Sequence, residues 1–239
     1  KLILFKKILK KNSSIIVDKN INEFHSLKKI AKNKKLKVIE TNKIVKKIKS
    51  LYLSSRTEFK IKNLAMAIMA SKLCGLKEKK IFKSLKKIKD VDGRLELVRT
   101  FANNVKVFID YAHTPDALYA AIKSIKESYN SNVSLVFGCG GERDFKKRSL
   151  MAKIAKVNCK KIYVTDDNPR KENPKKIRKE IIKYLKGSNY FNIGNRSKAI
   201  KEAILNAEPN ETILIAGKGH ENYQDYGNKI ISISDRKII

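Results

Sequence analysis

Short apolar runs separated by lysine-rich amphipathic stretches set the rhythm of the second part of the chain. From residue 105 onward, Val105–Ile109, Val133–Phe137, Lys161–Thr165 and Thr212–Ala216 read as strands. Pro115–Glu127, Lys147–Val157, Pro174–Leu185 and Ser197–Ala207 read as helices. Apolar runs of four or five residues, rich in β-branched and aromatic side chains, predict strands buried on both faces of a parallel sheet. Strand–helix alternation then predicts an α/β domain with a mostly parallel sheet wrapped by helices, Rossmann-like in class. In such sheets ligands bind beyond the carboxyl ends of the strands. The loops after the strands are therefore where chemistry is sought.

The pattern before residue 93 is looser. Residues 2–11 read as helix, Ser14–Val17 and Leu36–Glu40 as short strands around the lysine-rich helix Asn20–Ala31, and Thr41–Ser55 carries only a weak pattern. Phe59–Leu73 contains the run Leu64-Ala65-Met66-Ala67-Ile68-Met69-Ala70, whose alanines and methionines on several faces predict a buried helix. Gly75 suits its C-cap, and Lys79–Ile88 reads as another helix with Ile81, Phe82, Leu85 and Ile88 on its apolar side. The turn Asp92-Gly93-Arg94 marks a boundary between residues 1–92 and 93–239. Because Leu2–Leu9 is already helical in pattern, the chain is expected to start inside a domain. Ser234–Ile239 reads as a capped helix cut off after one turn.

Composition changes this picture in few places. A formal net charge of +32 over 239 residues invites a nucleic-acid reading. The positive residues are mostly lysines spread evenly among isoleucines and asparagines, as an AT-rich coding bias would produce, and no RNP-type or zinc-finger pattern accompanies them. No specific nucleic acid is expected as partner, although polyanions should adhere at low salt. Cys74, Cys139 and Cys159 lack CxxC spacing and fit a reducing cytoplasm. His25, His113 and His220 are too far apart in sequence to suggest a metal cluster. The apolar stretch around Leu64–Ala70 is too short to span a bilayer, so no membrane association is expected.

Four strand-end loops carry chemistry. Asp166-Asp167-Asn168-Pro169-Arg170 follows a strand that Asn-Pro brings to a stop. Asp167 can accept from an ammonium, and Arg170 can grip a carboxylate with two parallel bonds. Either the pair receives a zwitterionic amino-acid head, or Asp and Arg simply neutralise one another across the turn. Gly138-Cys139-Gly140-Gly141-Glu142-Arg143-Asp144 offers glycines that let backbone N–H groups approach an anion, with Arg143 as a fork; a tight βα turn accounts for it equally. In Gly217-Lys218-Gly219-His220-Glu221, Glu221 could meet an ammonium, and Lys218 or His220 a phosphate or carboxylate. Thr114, Pro115 and Asp116 form a helix start, which leaves Asp110 and His113 unexplained.

Phe59–Asn63 with its alanine-rich helix, Gly93-Arg94, Asp110–Asp116, Gly138–Asp144, Asp167–Arg170 and Gly217–Glu221 together resemble the C-terminal half of a Mur ligase, of the type that adds meso-diaminopimelate. The resemblance covers roughly residues 59–235, with the Asp-Asn-Pro-Arg and Gly-Lys-Gly-His-Glu combination as its specific part. It implies a cytoplasmic, monomeric, ATP-dependent amide ligase of peptidoglycan synthesis. That enzyme joins meso-diaminopimelate to UDP-N-acetylmuramoyl-L-alanyl-D-glutamate through an acyl phosphate, with Mg²⁺. By matching position, Arg143, Asp167, Asn168, Pro169, Arg170, Gly217 and Glu221 would hold diaminopimelate, and Asn63, Arg94, Asp110 and His113 would face ATP. Lys1 in Lys1-Leu2-Ile3-Leu4-Phe5 matches a family lysine that is carbamylated and helps hold Mg²⁺; an ordinary helix lysine is the competing reading. Residues 1–92 then stand for the remnant of a central P-loop-type ATPase domain and 93–239 for the Rossmann-like C-terminal domain. Two departures count: Gly-x-x-Gly-Lys-Thr occurs nowhere in the chain, and the stretch from Glu40 to Phe59 is shorter than is usual in the family. The chain alone is therefore expected not to bind ATP phosphates. The competing functions are a related amide ligase for another amino acid, and a non-catalytic basic α/β module for an anionic ligand or nucleic acid.

Overall fold

The computed structural model describes residues 2–51, 58–85, 87–88 and 90–239. The chain divides into two compact units, Lys1–Lys89 and Asp90–Ile239.

In the first unit, β1 (Ser14–Val17) and β2 (Lys37–Glu40) pair in parallel around α1 (Phe24–Asn33). Ile15, Val17, Phe24, Leu27, Ala31 and Leu36 close a small core between them. A second core joins α2 (Asn42–Leu51), α3 (Glu58–Leu73) and α4 (Glu78–Leu85) through Ile44, Ile48, Ile61, Ala65, Ile68, Ile81 and Leu85. Two expectations change here. The weakly patterned stretch holds a regular helix, α2, whose Ile44 and Ile48 lie one turn apart and are buried among exposed lysines. The helix α3 is buried along one stripe only, Ile61, Ala65 and Ile68, while Ala67, Ala70 and Leu73 are exposed. Its small residues reflect high helix propensity rather than contact on every face. Gly75 ends α3 at φ +84°, as a left-handed C-cap requires.

The second unit is a six-stranded sheet in the order β3-β4-β8-β5-β6-β7. Its strands are β3 (Glu96–Thr100), β4 (Lys106–Asp110), β5 (Val133–Phe137), β6 (Lys161–Val164), β7 (Tyr190–Asn192) and β8 (Thr212–Ala216). All pairs are parallel except β3 with β4. The expected mostly parallel α/β sheet is present, and the core strands β5 and β8 are buried along their whole length. Helices α5 (Pro115–Tyr129), α6 (Lys146–Asn158) and α7 (Pro174–Ile182) pack side by side, whereas α8 (Arg196–Leu205) packs on Val107, Val136, Tyr163, Ile213 and Ile215. Thr114 caps α5 through the Ala117 N–H, with Pro115 in the first turn.

Three elements have no counterpart in the sequence pattern: the edge strands β3 and β7, and an antiparallel hairpin of β9 (Tyr223–Asp225) and β10 (Ile230–Ser232). All are three to five residues long and largely exposed, so burial imprints no apolar run on them. The last helix, α9 (Asp235–Ile238), is the expected single turn, but the Ser234 side chain makes no capping bond. Its first residue turns inward: both Asp235 oxygens accept from Arg196, at 2.8 Å from Nε and 2.7 Å from Nη2, and Nη2 also reaches the Ala216 carbonyl at 3.1 Å. Both side chains have no exposed surface.

Breaking such a buried pair by removing one partner costs about 3–5 kcal/mol, because the remaining charge stays uncompensated. Asp235→Ala is therefore expected to destabilise the second unit by that amount. Arg196→Met/Asp235→Leu is expected to recover most of the loss. Urea unfolding followed by tyrosine fluorescence checks both, since every tyrosine except Tyr52 lies in this unit.

Candidate functional site

The parallel pairings end almost level. Asp110 faces Ala216, Val136 faces Ile215 and Phe137 faces Val164, so β4, β8, β5 and β6 deliver their following loops to one edge. The loops there are packed backbone to backbone. Gly217 and Tyr111 donate to the carbonyls of Asp110 and Gly93, and the Gly141 N–H donates to the Asn168 carbonyl at 2.9 Å. A side chain at Gly138 would strike the Thr165 carbonyl, and one at Gly141 the Pro169 carbonyl. The glycines of this loop therefore serve close loop-to-loop contact, and the Gly141 N–H is not left open to an anion.

Asp167, Asn168 and Pro169 are buried, and their backbone is strapped from outside. Gln224 Nε2 donates to the carbonyls of both Asp166 and Asp167 at 2.9 Å, the Asp225 N–H donates to Asn168 Oδ1 at 3.0 Å, and the Arg170 N–H donates to the Asp225 carbonyl at 2.9 Å. Asp166 itself is tied to Arg178 and to the Tyr226 hydroxyl. Burial and that carboxylate push the Tyr226 phenol up to about 12.

A cavity of about 480 Å³ opens between these loops. Arg143, Asp167, Asn168, Arg170, Gly217 and Glu221 all line it, and His113 and Lys147 stand at the same opening. Arg170 sits at φ +52°, with Nη1 donating to the carbonyls of Gly141 at 2.8 Å and Asn168 at 3.3 Å, so backbone aims its guanidinium. The reading in which Asp167 and Arg170 neutralise one another is not what forms. The cation nearest Asp167 is Lys218 at 4.0 Å, and the anion nearest Arg170 is Asp225 at 3.9 Å. Gly217, at φ +113°, leaves room where a Cβ would lie 2.6 Å from Asp167 Oδ2.

The other expected residues are placed differently. Pro169 is buried behind the cavity, against Gly141. Asp110 holds two backbone amides, those of Leu95 at 2.5 Å and Ala112 at 2.7 Å, which accounts for it structurally. Arg94 stacks on the Tyr111 ring at 4.3 Å, and His113 meets the same ring edge-on at 4.6 Å. Asn63 lies exposed on α3 in the first unit, and Lys1 falls outside the described residues. Of Lys218 and His220, the two alternatives for a ligand anion, Lys218 has no exposed surface and is held by protein partners, whereas His220 is exposed beside Tyr111. Cys139, in the glycine loop, is buried and its thiol is pushed up to about 12, so it is no nucleophile at neutral pH.

Beneath the glycine loop lies a network the sequence does not announce. Arg148 is almost fully buried and donates to Glu180 at 2.7 Å, to Glu172 at 2.9 Å and to the Gly140 carbonyl at 3.3 Å. Glu172 also accepts from the Glu142 N–H at 2.9 Å, which joins the loop after β5 to the loop after β6. The signal was an arginine among lysines on the inward face of α6; its partners are too distant in sequence to be inferred.

Among the described residues no group of three or more His, Cys, Asp or Glu is placed to hold a metal, and no helix is long and apolar enough to cross a membrane.

Residues 93–219 match the family model described as Mur ligase, glutamate ligase domain. Among similar curated proteins, the UDP-N-acetylmuramoyl-L-alanyl-D-glutamate–2,6-diaminopimelate ligase of Rickettsia montanensis is 43% identical over 183 residues, which is 76% of this chain and 37% of the relative. The corresponding ligase 1 of Clostridium acetobutylicum is 36% identical over 260 aligned positions, covering all of this chain and 53% of the relative. A solved structure of a UDP-N-acetylmuramoyl-L-alanyl-D-glutamate–2,6-diaminopimelate ligase superposes with a TM-score of 0.59 at 24% identity, over 95% of this chain and 52% of the other. The chain thus spans about a third to a half of the length of these relatives.

The Glu172 bridge has a pH signature. Burial pushes its carboxyl up, but the Glu142 N–H and the Arg148 guanidinium outweigh that and hold it below its usual 4.5. A folded value below the unfolded one gives stability that is complete above about pH 4.5 and lost as pH falls through the lower, folded value. Glu172→Gln is expected to cost about 1–3 kcal/mol at pH 7 by leaving Arg148 short of a partner. In urea titrations the gap from the natural chain should close as pH drops below 4.5.

Proposed function

The chain belongs to the Mur ligase family, and on that premise we propose that it forms the amino-acid-binding end of an ATP-dependent ligase. That ligase adds meso-diaminopimelate to UDP-N-acetylmuramoyl-L-alanyl-D-glutamate in peptidoglycan synthesis. Supporting this are the similar proteins that carry that activity in their names and one observation of geometry: Arg143 and Arg170 line the same small cavity as Asp167 and Glu221. A diamine with two carboxylates needs both signs of charge within a few ångströms, supplied by groups fixed before it arrives. In this reading Asp167 and Glu221 receive an ammonium, the two arginines receive a carboxylate, and the remaining amine is presented for attack. Residues 1–92 would belong to the central domain, and 93–239 would form the acceptor-binding domain, working in the cytoplasm.

ATP supplies the phosphoryl group that activates the glutamyl γ-carboxylate, with phosphate leaving when the amine adds. Arg94 and His113, exposed around Tyr111, are the residues of this unit we assign to the nucleotide side. Asp110 supports this segment by accepting from the Leu95 and Ala112 amides. Among the described residues no group of three or more His, Cys, Asp or Glu is placed to hold the family's Mg²⁺.

Discrimination against L-lysine follows from the same cavity. Lysine lacks the second carboxylate, and a site that desolvates a guanidinium without pairing it rejects the shorter ligand by up to about 10⁴-fold. Calorimetry on the 239-residue chain is expected to show meso-diaminopimelate binding at least about 100-fold tighter than L-lysine. Arg170→Ala should weaken diaminopimelate by about 10–100-fold, the loss of charge-assisted bonds, and leave lysine unchanged. Equal affinity for the two amino acids would sink the diaminopimelate assignment and favour a ligase for another amino acid.

A further inference from the structure

The carbonyl that aims Arg170 belongs to a peptide whose other end is held by a side chain outside the cavity. Arg170 Nη1 donates to the Gly141 carbonyl at 2.8 Å, against 3.3 Å to the Asn168 carbonyl and 3.9 Å from Nε to Asp225. The Glu142 N–H shares a peptide plane with the Gly141 carbonyl, and it donates to Glu172 Oε1 at 2.9 Å. The preceding plane is held at both ends as well. Its Gly140 carbonyl accepts from Arg148 Nη2 at 3.3 Å, and its Gly141 N–H donates to the Asn168 carbonyl at 2.9 Å. Because a trans peptide is planar, with N–H and C=O pointing opposite ways, fixing one end fixes the other.

The backbone at this point needs that hold. Glu142 sits at φ +52°, a left-handed conformation that is costly for a residue with a Cβ. Turning the Gly141–Glu142 peptide over changes ψ of Gly141 and φ of Glu142, as between type I and type II turns, and returns Glu142 to negative φ. The same rotation swings the Gly141 carbonyl away from Arg170 and presents an N–H to its guanidinium. Glu172 opposes that rotation by accepting from the Glu142 N–H. Glu172 is itself fixed by Arg148, whose Nη2 lies 3.1 Å from Oε1 and 2.9 Å from Oε2, and its own N–H donates to the Pro169 carbonyl at 3.0 Å. Neither Glu172 nor Arg148 is among the residues that line the cavity.

We propose that Glu172 is the positioning residue of the cavity's arginine end: by holding the Gly141–Glu142 peptide against turning over, it keeps Arg170 aimed and so sets the preference for a ligand with a second carboxylate. This rests on the reading of the cavity as an amino-acid site and assigns part of its specificity to a residue behind it. Arg148 supports Glu172, and neither touches the ligand.

Three variants of the 239-residue chain separate positioning from stability. Glu172→Gln keeps an oxygen for the Glu142 N–H, and Glu172→Leu removes it. Arg148→Met/Glu172→Leu also removes it but strands no buried guanidinium, so it is expected to be more stable than Glu172→Leu. The first readout needs no ligand: nitrogen-15 spectra of labelled arginine, with the Arg170 signals assigned by their loss in Arg170→Lys. A guanidinium held by hydrogen bonds gives separate Nη resonances, and one that rotates gives a single averaged resonance. Arg170 is expected to be resolved in the natural chain and in Glu172→Gln, and averaged in both Leu variants. An averaged Arg170 in the natural chain or in Glu172→Gln, or a resolved one in either Leu variant, overturns the proposal.

The second readout is calorimetry with meso-diaminopimelate and L-lysine. The ratio of the two affinities is expected to stay within about threefold of the natural value in Glu172→Gln, despite its lower stability, and to fall at least about 10-fold in both Leu variants. A ratio unchanged in the Leu variants overturns the proposal. So does a ratio that follows stability, falling in Glu172→Gln and recovering in the double variant, which assigns Glu172 to the fold alone. A natural chain that does not prefer diaminopimelate defeats the function proposed above, and the Arg170 resonances still decide on Glu172. Should Glu172→Leu not fold, the double variant carries both readouts.

Discussion

The level ending of four parallel strands is the constraint from which the site follows. Once Asp110, Phe137, Val164 and Ala216 stop at one edge, the loops after them must pass within backbone contact of one another. That proximity dictates the sequence there: Gly138 and Gly141 lie where any Cβ would overlap a carbonyl of the loop after β6, and Gly217 lies against the Asp167 carboxylate. The same proximity lets backbone groups do the aiming. Arg170 is oriented by the carbonyls of Gly141 and Asn168, with Asp225 standing 3.9 Å from its Nε.

Around this edge the protein places charges where apolar side chains would give equal or greater stability. Arg148 with Glu172, Lys218 with Asp167 and Glu221, and Arg196 with Asp235 are each wholly or largely buried, with Glu180 reaching Arg148 from a more exposed position. Replacing such groups with well-packed hydrocarbon is often neutral or stabilising, so their value lies elsewhere. Their positions say where: each set ties two or more loops of the edge together. The first joins the loop after β5 to that after β6. The second joins the loop after β6 to that after β8. The third ties the start of α8 to the end of β8. The β9–β10 hairpin completes the arrangement from outside, with Gln224 holding two successive carbonyls of the Asp-Asn-Pro-Arg loop.

What the sequence discloses and what it conceals divide along burial and sequence distance. Buried strands write their own pattern, and β5 and β8 begin and end where the apolar runs do. Cap chemistry is equally local, so Thr114-Pro115 marks the start of α5. The exposed strands β3, β7, β9 and β10 leave no such trace, and α2 hides its two buried isoleucines among lysines. Strand ends and residue types point to Arg143, Asp167, Arg170 and Glu221, whereas Asn168 and Gly217 enter only through the family resemblance. Lys218 and His220 are alternatives for a ligand anion in the sequence, and the structure turns Lys218 inward. Nothing in five residues shows that a lysine at a strand end turns inward. Gln224 and Glu172 were invisible because their partners lie dozens of positions away.

The net charge of +32 is a poor guide to function here, and the reason is electrostatic. Lysines on solvated helix faces act across water, where a Debye length of about 8 Å at physiological salt screens them from anything but an adjacent polyanion. The cations that shape the cavity are few and mostly arginine: Arg143, Arg148, Arg170 and Arg196, with Lys218 as the buried exception. The partners of Arg148, Arg170, Arg196 and Lys218 lie within hydrogen-bonding or ion-pair distance, where water screens them little. In the function proposed above, recognition rests on the charges that line this one small hollow. The many lysines on the surface favour adhesion to polyanions when salt is low.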